Sequence, residues 1–542
     1  MHDAAALEAP NRKPPFKPVA FVRANFPTLA DSSLAIASAL LLVVSFPDFN
    51  LWWLAWMGLV PLMVVIARTP MVGRAFILGW LWGTIFFYGT CWWLTYPMIH
   101  YGRLHAWLAY PLLLLPVMLV ALFPGMACFL ISRLISRFGL VAMFTAPVIW
   151  VSFEWLRYAV TGQLWNAFGY SQAFHPLLIQ TARWGGVYAV SFLITLTNSA
   201  IAIVLIRRRF LLSLACLSLV AVILILSSGL LGERTVVRRY MPAASAASVI
   251  AIQPNVPMDL AGDTAEMNEL LERHLSLSRN AFQALQSSYL SGDLLPQLVI
   301  WPESPMNFSY SRDPKLRETV EAFARQNHTS VLLNSLEPAR NGGEHNSAIM
   351  INEDGRIVAQ YDKIRLMPFG EYVPLPQWLP GASSVRGIVG EFTPGNSYTL
   401  MPLGAFRAGV FICIEAAHPG IARSFTNAGA DVLINISNDG YLGPTPVMRQ
   451  HLANAVFRAV ENERPLVRVT NSGISALISR AGEVGDSTAG FEPTVRSWII
   501  TGERSGTTFY TRHGDIFAYA CALISLGIVS ASFRGKESEA RA

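Results

Sequence analysis

The sequence predicts a fold in two parts: a polytopic α-helical membrane domain of about eight transmembrane helices and an α/β domain held outside the bilayer. Three observations carry this. Hydrophobic residues make up 53% of the 542 and charged residues only 14%, against about 25% charged in soluble domains. Apolar runs succeed one another from residue 32 to residue 231, each close to the length a helix needs to cross hydrocarbon. From residue 244 onward, short apolar runs alternate with helical periodicity, which argues strands packed against helices.

Residues 1–31 are polar and carry Arg12, Lys13, Lys17 and Arg23. They read as an uncleaved cytoplasmic tail, since no small-residue cleavage site precedes a soluble domain. Seven spans are expected within 32–231, near 32–47, 51–67, 75–96, 106–132, 140–158, 187–206 and 210–231. An eighth is expected at 516–533, with 534–542 a second cytoplasmic tail. With the N-terminus inside, the cytoplasmic loops and tail hold Arg68, Arg74, Arg133, Arg137, Arg207, Arg208, Arg209, Arg534, Lys536 and Arg541. The opposite loops hold only Arg103, Arg157 and Arg183, as the positive-inside rule asks. Residues 244–511 then face outward, which in a bacterial inner membrane means the periplasm. The net charge of +6 reads as membrane anchoring rather than nucleic-acid binding. Aromatics gather at the outward ends (Trp92, Trp93, Tyr96, Tyr101, Trp107, Tyr158, Trp165, Tyr170, Trp184), as an interfacial belt or as the wall of a lipid-facing groove. Glu154 and Arg157 are expected to pair locally at the interface.

In the outward domain, strands are expected at 248–252, 298–301, 330–334, 347–352, 356–361, 407–414, 432–436, 465–470 and 475–479. Asn352-Glu353-Asp354-Gly355 reads as a hairpin turn. Helical stretches lie at 263–289, 313–327 and 446–462. Four of the five cysteines (Cys91, Cys128, Cys216, Cys521) fall in predicted spans, where a small buried hydrophobe is the default. Cys413 alone lies in the outward domain, without an intradomain disulfide partner. It ends a strand and precedes a helical pattern, a position expected to favour thiolate. A nucleophile also needs a base and a group to hold developing negative charge. Glu303 and Lys363 each end a strand-like apolar run, and their convergence with Cys413 would make a coherent site. No metal site is expected, since the histidines show no ligand spacing. No phosphate or dinucleotide fingerprint is present, and no cofactor is expected.

Several segments around these residues share one pattern. They are Gln253-Pro254-Asn255, Trp301-Pro302-Glu303, Tyr361-Asp362-Lys363, Pro368-Phe369-Gly370-Glu371-Tyr372-Val373-Pro374, Phe392-Thr393-Pro394-Gly395 and Ile412-Cys413-Ile414-Glu415. Ser437-Asn438-Asp439-Gly440, the His451 helix, 464–468, Asn471-Ser472-Gly473 and 510–515 extend it. Together they resemble the nitrilase (carbon–nitrogen hydrolase) superfamily. With the membrane frame, they resemble its membrane-embedded branch, the apolipoprotein N-acyltransferases. The resemblance implies an αββα sandwich and a Glu303-Lys363-Cys413 triad. Cys413 would be the nucleophile, Glu303 the general base and Lys363 the oxyanion partner. It implies transfer of an acyl chain from a phospholipid, phosphatidylethanolamine foremost, through a thioester to the α-amino group of an apolipoprotein's diacylglyceryl-cysteine. Glu371 and Glu415 are expected to support the triad; Asn346 and His451 are weaker candidates. A monomer suffices. The segment 368–390 is expected to be a lid. The sequence departs from the family pattern at Ile414, at Gly440-Tyr441-Leu442-Gly443 and at Ala261-Gly262, which bears on lid contacts and substrate preference. A membrane-tethered amidase using the same triad on a small molecule is the main alternative. A transporter with a degenerate outward domain and an inactive docking protein also remain open.

Overall fold

The computed structural model describes residues 26–68, 71–207, 210–237, 246–259, 264–288, 298–340, 342–374, 392–501 and 506–539. Among the described residues, six helices are long and apolar enough to cross a membrane: Val72–His100, Ala106–Phe138, Leu140–Thr161, Ala182–Arg207, Phe210–Ser228 and Ile516–Phe533. The first two expected spans are shorter. Leu29–Val43 has 15 residues, and Trp52–Arg68 begins with a 3-10 turn before the α-helix Val60–Arg68. Both still pack inside the bundle, with Ala35, Ala39, Leu42, Leu59 and Leu62 buried. The helix Phe210–Val237 is different: Leu211, Leu214, Ile225 and Leu226 are 60–85% exposed. Apolar side chains on an outer face of a membrane helix are the surface that lipid covers.

The helix Ala182–Arg207 breaks at Gly185 and Gly186, and Gly186 has φ +63°. The break lets Val187 N–H point at Glu461 Oε1, 3.2 Å away on the α/β domain's helix Val447–Asn462. A carboxylate at a helix N-terminus satisfies an orphan donor and suits the dipole. Arg458 Nη2 holds that carboxylate at 2.8 Å and meets Tyr170 Oη at 3.3 Å. The α/β domain is therefore bolted to the membrane bundle by buried polar contacts, within an otherwise continuous apolar core.

That domain has two six-stranded sheets, ordered β12-β1-β2-β3-β4-β5 and β11-β10-β9-β8-β7-β6. The first comprises β1 (Ala246–Gln253), β2 (Leu298–Ile300), β3 (Ser330–Pro338), β4 (Glu344–Ile351), β5 (Ile357–Asp362) and β12 (Thr494–Thr501). The second comprises β6 (Leu400–Leu403), β7 (Phe406–Ile412), β8 (Val432–Ser437), β9 (Leu466–Thr470), β10 (Ala476–Ile478) and β11 (Val484–Gly485). Each sheet has a parallel centre, β1-β2-β3 or β7-β8-β9, and antiparallel flanks. Period-two alternation assigns the faces. Val249, Ala251, Leu298, Ile300, Leu332, Ala348 and Met350 point between the sheets. Ile250, Ile252, Val299, Val331, Leu333, Ile349 and Ile351 point outward, under the helices Thr264–Ser288 and Pro314–Asn327. Pro419–Asn427 and Val447–Asn462 cover the other sheet, completing four layers. Gly409 in β7 is required by this packing, because a Cβ there would lie 2.6 Å from Phe425 Cβ. The strands β6, β11 and β12 are not legible as strands in the sequence. The first two are four and two residues long, and β12, Thr494–Thr501, carries Arg496 in its middle.

Candidate active site

Parallel strands of an α/β domain end on one side, and that is where side chains can converge. Glu303 lies just beyond β2, Lys363 just beyond β5 and Cys413 just beyond β7. All three line one cavity of about 200 Å³, with Asn346, Glu371 and Asn438. Cys413 sits in the left-handed region at φ +52°, which turns its side chain off the strand direction. The short turn it opens is tied by Glu415, whose Oε2 accepts from Ile412 N–H at 2.8 Å. Glu415 Oε1 accepts from Tyr361 O–H (2.8 Å), Ile364 N–H (2.8 Å) and Arg365 N–H (3.0 Å). One fully buried carboxylate thus fixes the Lys363 segment to the Cys413 turn. Burial pushes its carboxyl above the usual range, against the pull of the Ile412 and Arg365 N–H groups.

Lys363 is 1% exposed. Its Nζ lies 2.9 Å from Glu371 Oε2 and 3.5 Å from Glu303 Oε1. Burial works against the ammonium, but Glu371 and then Glu303 outweigh it and hold Lys363 above its ordinary value. Asn346 Nδ2 bridges both carboxylates, at 2.9 Å to Glu303 and 2.7 Å to Glu371. Asn334 fixes that amide by donating to its oxygen at 2.7 Å. The remaining Glu303 oxygen accepts from Asn438 N–H at 3.0 Å, and Glu371 Oε2 from Met367 N–H at 2.7 Å. Asn346, a weaker candidate in the sequence, therefore touches two carboxylates of the site.

The Cys413 thiol corrects one expectation. Burial first and the Glu303 charge second push it well above its ordinary value, and Lys363 pulls only partly the other way. The helix-terminus effect does not win, because Cys413 opens only a five-residue 3-10 turn and the thiol is enclosed. A thiol held neutral needs a base beside it to become a nucleophile.

His451 reaches the site from behind. Its Nε2 meets the Cys413 carbonyl at 3.0 Å, and its Nδ1 lies 2.9 Å from Asp439 Oδ1. Burial and the Arg468 charge hold the imidazole below its ordinary pKa, against the pull of Asp439. Asp439 is paired with Arg468 at 2.8 Å, and Arg468 is fully buried in β9. In the sequence, Arg468 and Asp439 stand out only as parts of motifs. A guanidinium within the buried run Leu466-Val467-Arg468-Val469 is itself a signal, since such a charge must be paired.

A second cavity of about 270 Å³ adjoins the first at Met367. Its walls come from the membrane helices (Phe87, Leu113, Val117, Val120), from Trp93 and Trp165, and from Pro368, Phe369 and Ile414 of the α/β domain. The predicted aromatic cluster thus divides. Trp107 and Trp184 are 74% and 56% exposed, whereas Trp93 and Trp165 are buried walls of this groove. Glu154 and Arg157 are buried too, and each bonds the backbone: Glu154 accepts from Phe168 N–H at 2.9 Å, and Arg157 donates to Gln163 O at 3.1 Å. Among the described residues no group of three His, Cys, Asp or Glu side chains could hold a metal ion.

The family described as apolipoprotein N-acyltransferase N-terminal domain matches residues 38–200, and carbon-nitrogen hydrolase matches residues 249–500. An apolipoprotein N-acyltransferase of Geobacter metallireducens is 32% identical over 515 residues, which are 93% of this chain and 96% of that protein. The chain belongs to the apolipoprotein N-acyltransferase family. Another member, from Allorhizobium ampelinum, is 33% identical over 76% of each chain. A solved carbon-nitrogen hydrolase from Helicobacter pylori G27 aligns at 17% identity with 48% of this chain and 90% of its own, at a TM-score of 0.36. In this apolipoprotein N-acyltransferase family member, two of the departures noted in the sequence fall on cavity walls. Ile414 lines the apolar groove, and Tyr441 lines the polar cavity and stacks on Tyr101 with centroids 5.0 Å apart. Ala261-Gly262 lies outside the described residues, as do residues 375–390 of the expected lid.

Proposed function

We propose that this chain N-acylates lipoproteins, taking the acyl chain from a phospholipid, and that Cys413, Glu303 and Lys363 carry the chemistry. One observation supports this above the rest: an apolar groove walled by membrane helices shares its wall residue Met367 with the polar cavity that holds those three residues. Moving an acyl chain from bilayer to water costs about 0.8 kcal/mol per CH₂. A groove continuous with the membrane avoids that cost, while the ester reaches the polar cavity.

Glu303 takes the Cys413 proton as sulfur attacks the ester carbonyl. Lys363 stabilises the tetrahedral oxyanion. The ester C–O bond breaks, Glu303 returns the proton to the departing lysophospholipid oxygen, and a thioester remains. The α-amino group of a diacylglyceryl-cysteine then attacks the thioester. An amide forms, the C–S bond breaks, and the amine proton passes through Glu303 to the Cys413 sulfur. One thiol serving both substrates makes the kinetics ping-pong. Glu371 holds Lys363 in place, and Glu415 and His451 hold the nucleophile turn. The basic residues after the second, fourth, sixth and eighth expected spans support an inner-membrane protein with the α/β domain in the periplasm. Phosphatidylethanolamine is the expected donor and a monomer the working unit.

The test is intact mass spectrometry of the detergent-solubilised chain incubated with phosphatidylethanolamine of defined acyl chains. A hydroxylamine-labile acyl adduct, absent from Cys413→Ser at neutral pH, is the expected result. No adduct from any phospholipid, with hydrolysis of soluble amides instead, would replace this reading with a tethered amidase.

A further inference from the structure

Gln450 stands one residue from His451 on the helix Val447–Asn462 and is 4% exposed. Its side-chain amide is fully engaged, and every partner lies in the membrane half. Oε1 accepts from Trp93 Nε1–H at 3.1 Å and Trp165 Nε1–H at 2.8 Å. Nε2 donates to Thr90 O at 3.0 Å and Pro47 O at 3.2 Å. The two indoles it holds are walls of the apolar groove, with centroids 5.6 Å apart. They pack in one small cluster with Ile414, the residue after Cys413. The next side chain along, His451, lies against Trp165 and bonds the Cys413 carbonyl. A single helical segment thus grips the groove wall with one side chain and the nucleophile turn with its neighbour.

We propose that Gln450 is a positioning residue that fixes the two groove indoles relative to Cys413 and thereby sets which acyl-chain lengths reach the thiol. This deepens the reading of the groove as the acyl site and rests on it. The chemistry suits the task. An amide carbonyl has two lone pairs for two indole donors, and its NH₂ has two protons for two carbonyls. Leucine would remove all four bonds from a buried position, whereas glutamate keeps an acceptor for both indoles but turns a carboxylate oxygen against the Thr90 and Pro47 carbonyls that the amide had donated to. The indoles then shift relative to the nucleophile turn, and the groove changes length and width.

The experiment compares Gln450→Leu, Gln450→Glu and Trp165→Phe with wild type as full chains in detergent. Acyl-enzyme formation is followed by intact mass with phosphatidylethanolamines carrying lauroyl, palmitoyl or stearoyl chains. Alkylation of Cys413 by iodoacetamide reports the nucleophile without using the groove. The expected result for Gln450→Leu is a change of about fivefold or more in the palmitoyl-to-lauroyl rate ratio, the size of one lost buried hydrogen bond. Its alkylation rate stays within about twofold of wild type, and Gln450→Glu also shifts the ratio, because its carboxylate opposes the Thr90 and Pro47 carbonyls. Trp165→Phe, which removes one indole donor and leaves Gln450 in place, shifts the ratio in the same direction and covers the case in which Gln450→Leu does not fold. An unchanged ratio in the folded variants overturns the proposal, as does an equal loss for every chain length with slowed alkylation. Wild type that forms no adduct with any of the three donors refutes instead the acyl-groove reading beneath it.

Discussion

Replacing Lys363 by methionine removes the buried ammonium that separates Glu303 from Glu371. Both carboxylates accept from the same Asn346 nitrogen, at 2.9 and 2.7 Å, so they stay close once the cation is gone. Two unit charges about 5 Å apart at an effective dielectric of about 20 repel by about 3 kcal/mol. The alternative is to protonate one of them, at about 1.4 kcal/mol for each pH unit above about 4.3. That costs about 1 kcal/mol at pH 5 and about 5 kcal/mol at pH 8, so protonation wins in acid and repulsion persists in mild alkali. The variant's carboxyl has a folded-state pKa above its unfolded value. Its contribution is therefore most favourable below about pH 4.3 and is lost as pH rises towards the folded value. In wild type, Lys363 is held above its ordinary value, so its stabilisation is complete below about pH 10 and flat across this window. The melting-temperature deficit of Lys363→Met should thus be larger at pH 8 than at pH 5 by about 2 kcal/mol, or about 4–8 °C for a domain this size. Thermal melts by intrinsic tryptophan fluorescence in detergent at the two pH values measure it. A deficit independent of pH, or none, would refute the electrostatic account of Lys363.

The thiol and the buried arginine give two more tests. Because burial and Glu303 raise the Cys413 thiol, its alkylation by iodoacetamide should keep accelerating well past about pH 8.5, where a free thiol begins to level off. A plateau at or below that pH would show that the thiolate is stabilised instead. Asp439→Asn should destabilise the domain by about 3–5 kcal/mol, since it leaves the fully buried Arg468 without its carboxylate. Its alkylation kinetics should change too, because His451 loses the anchor that aims it at the Cys413 carbonyl. Melting together with iodoacetamide rates would expose an error if either stayed at the wild-type value.

Much of the architecture can be read from residue order. Apolar run lengths mark the six long membrane helices, because hydrocarbon thickness fixes how many residues a span needs. At the first two expected spans the helices are shorter, Leu29–Val43 and Val60–Arg68, and both pack inside the bundle. Alternation places the central strands within a few residues, because each carries one face between the sheets and the other beneath helices. Short edge strands have too few residues to alternate, and so β6 and β11 are known mainly from their pairing partners.

For the site, isolated Glu303, Lys363 and Cys413 at the ends of apolar runs are visible as residue types in sequence, and the strand order brings them to one cavity. Tertiary structure alone decides three things. The thiol's ionisation runs opposite to the expectation from local sequence, because enclosure and the Glu303 charge outweigh one short turn. Asn346 and His451 gain specific contacts with Glu303, Glu371 and Cys413, which lie 25 or more residues away along the chain. Gln450 carries no signal, since an amide inside an amphipathic helix is ordinary until its partners on distant segments are known. Sequence sets run length, periodicity and residue chemistry, which are local. Electrostatic environment and the placing of the groove beside the cavity depend on which distant segments share space, and only the folded chain determines that.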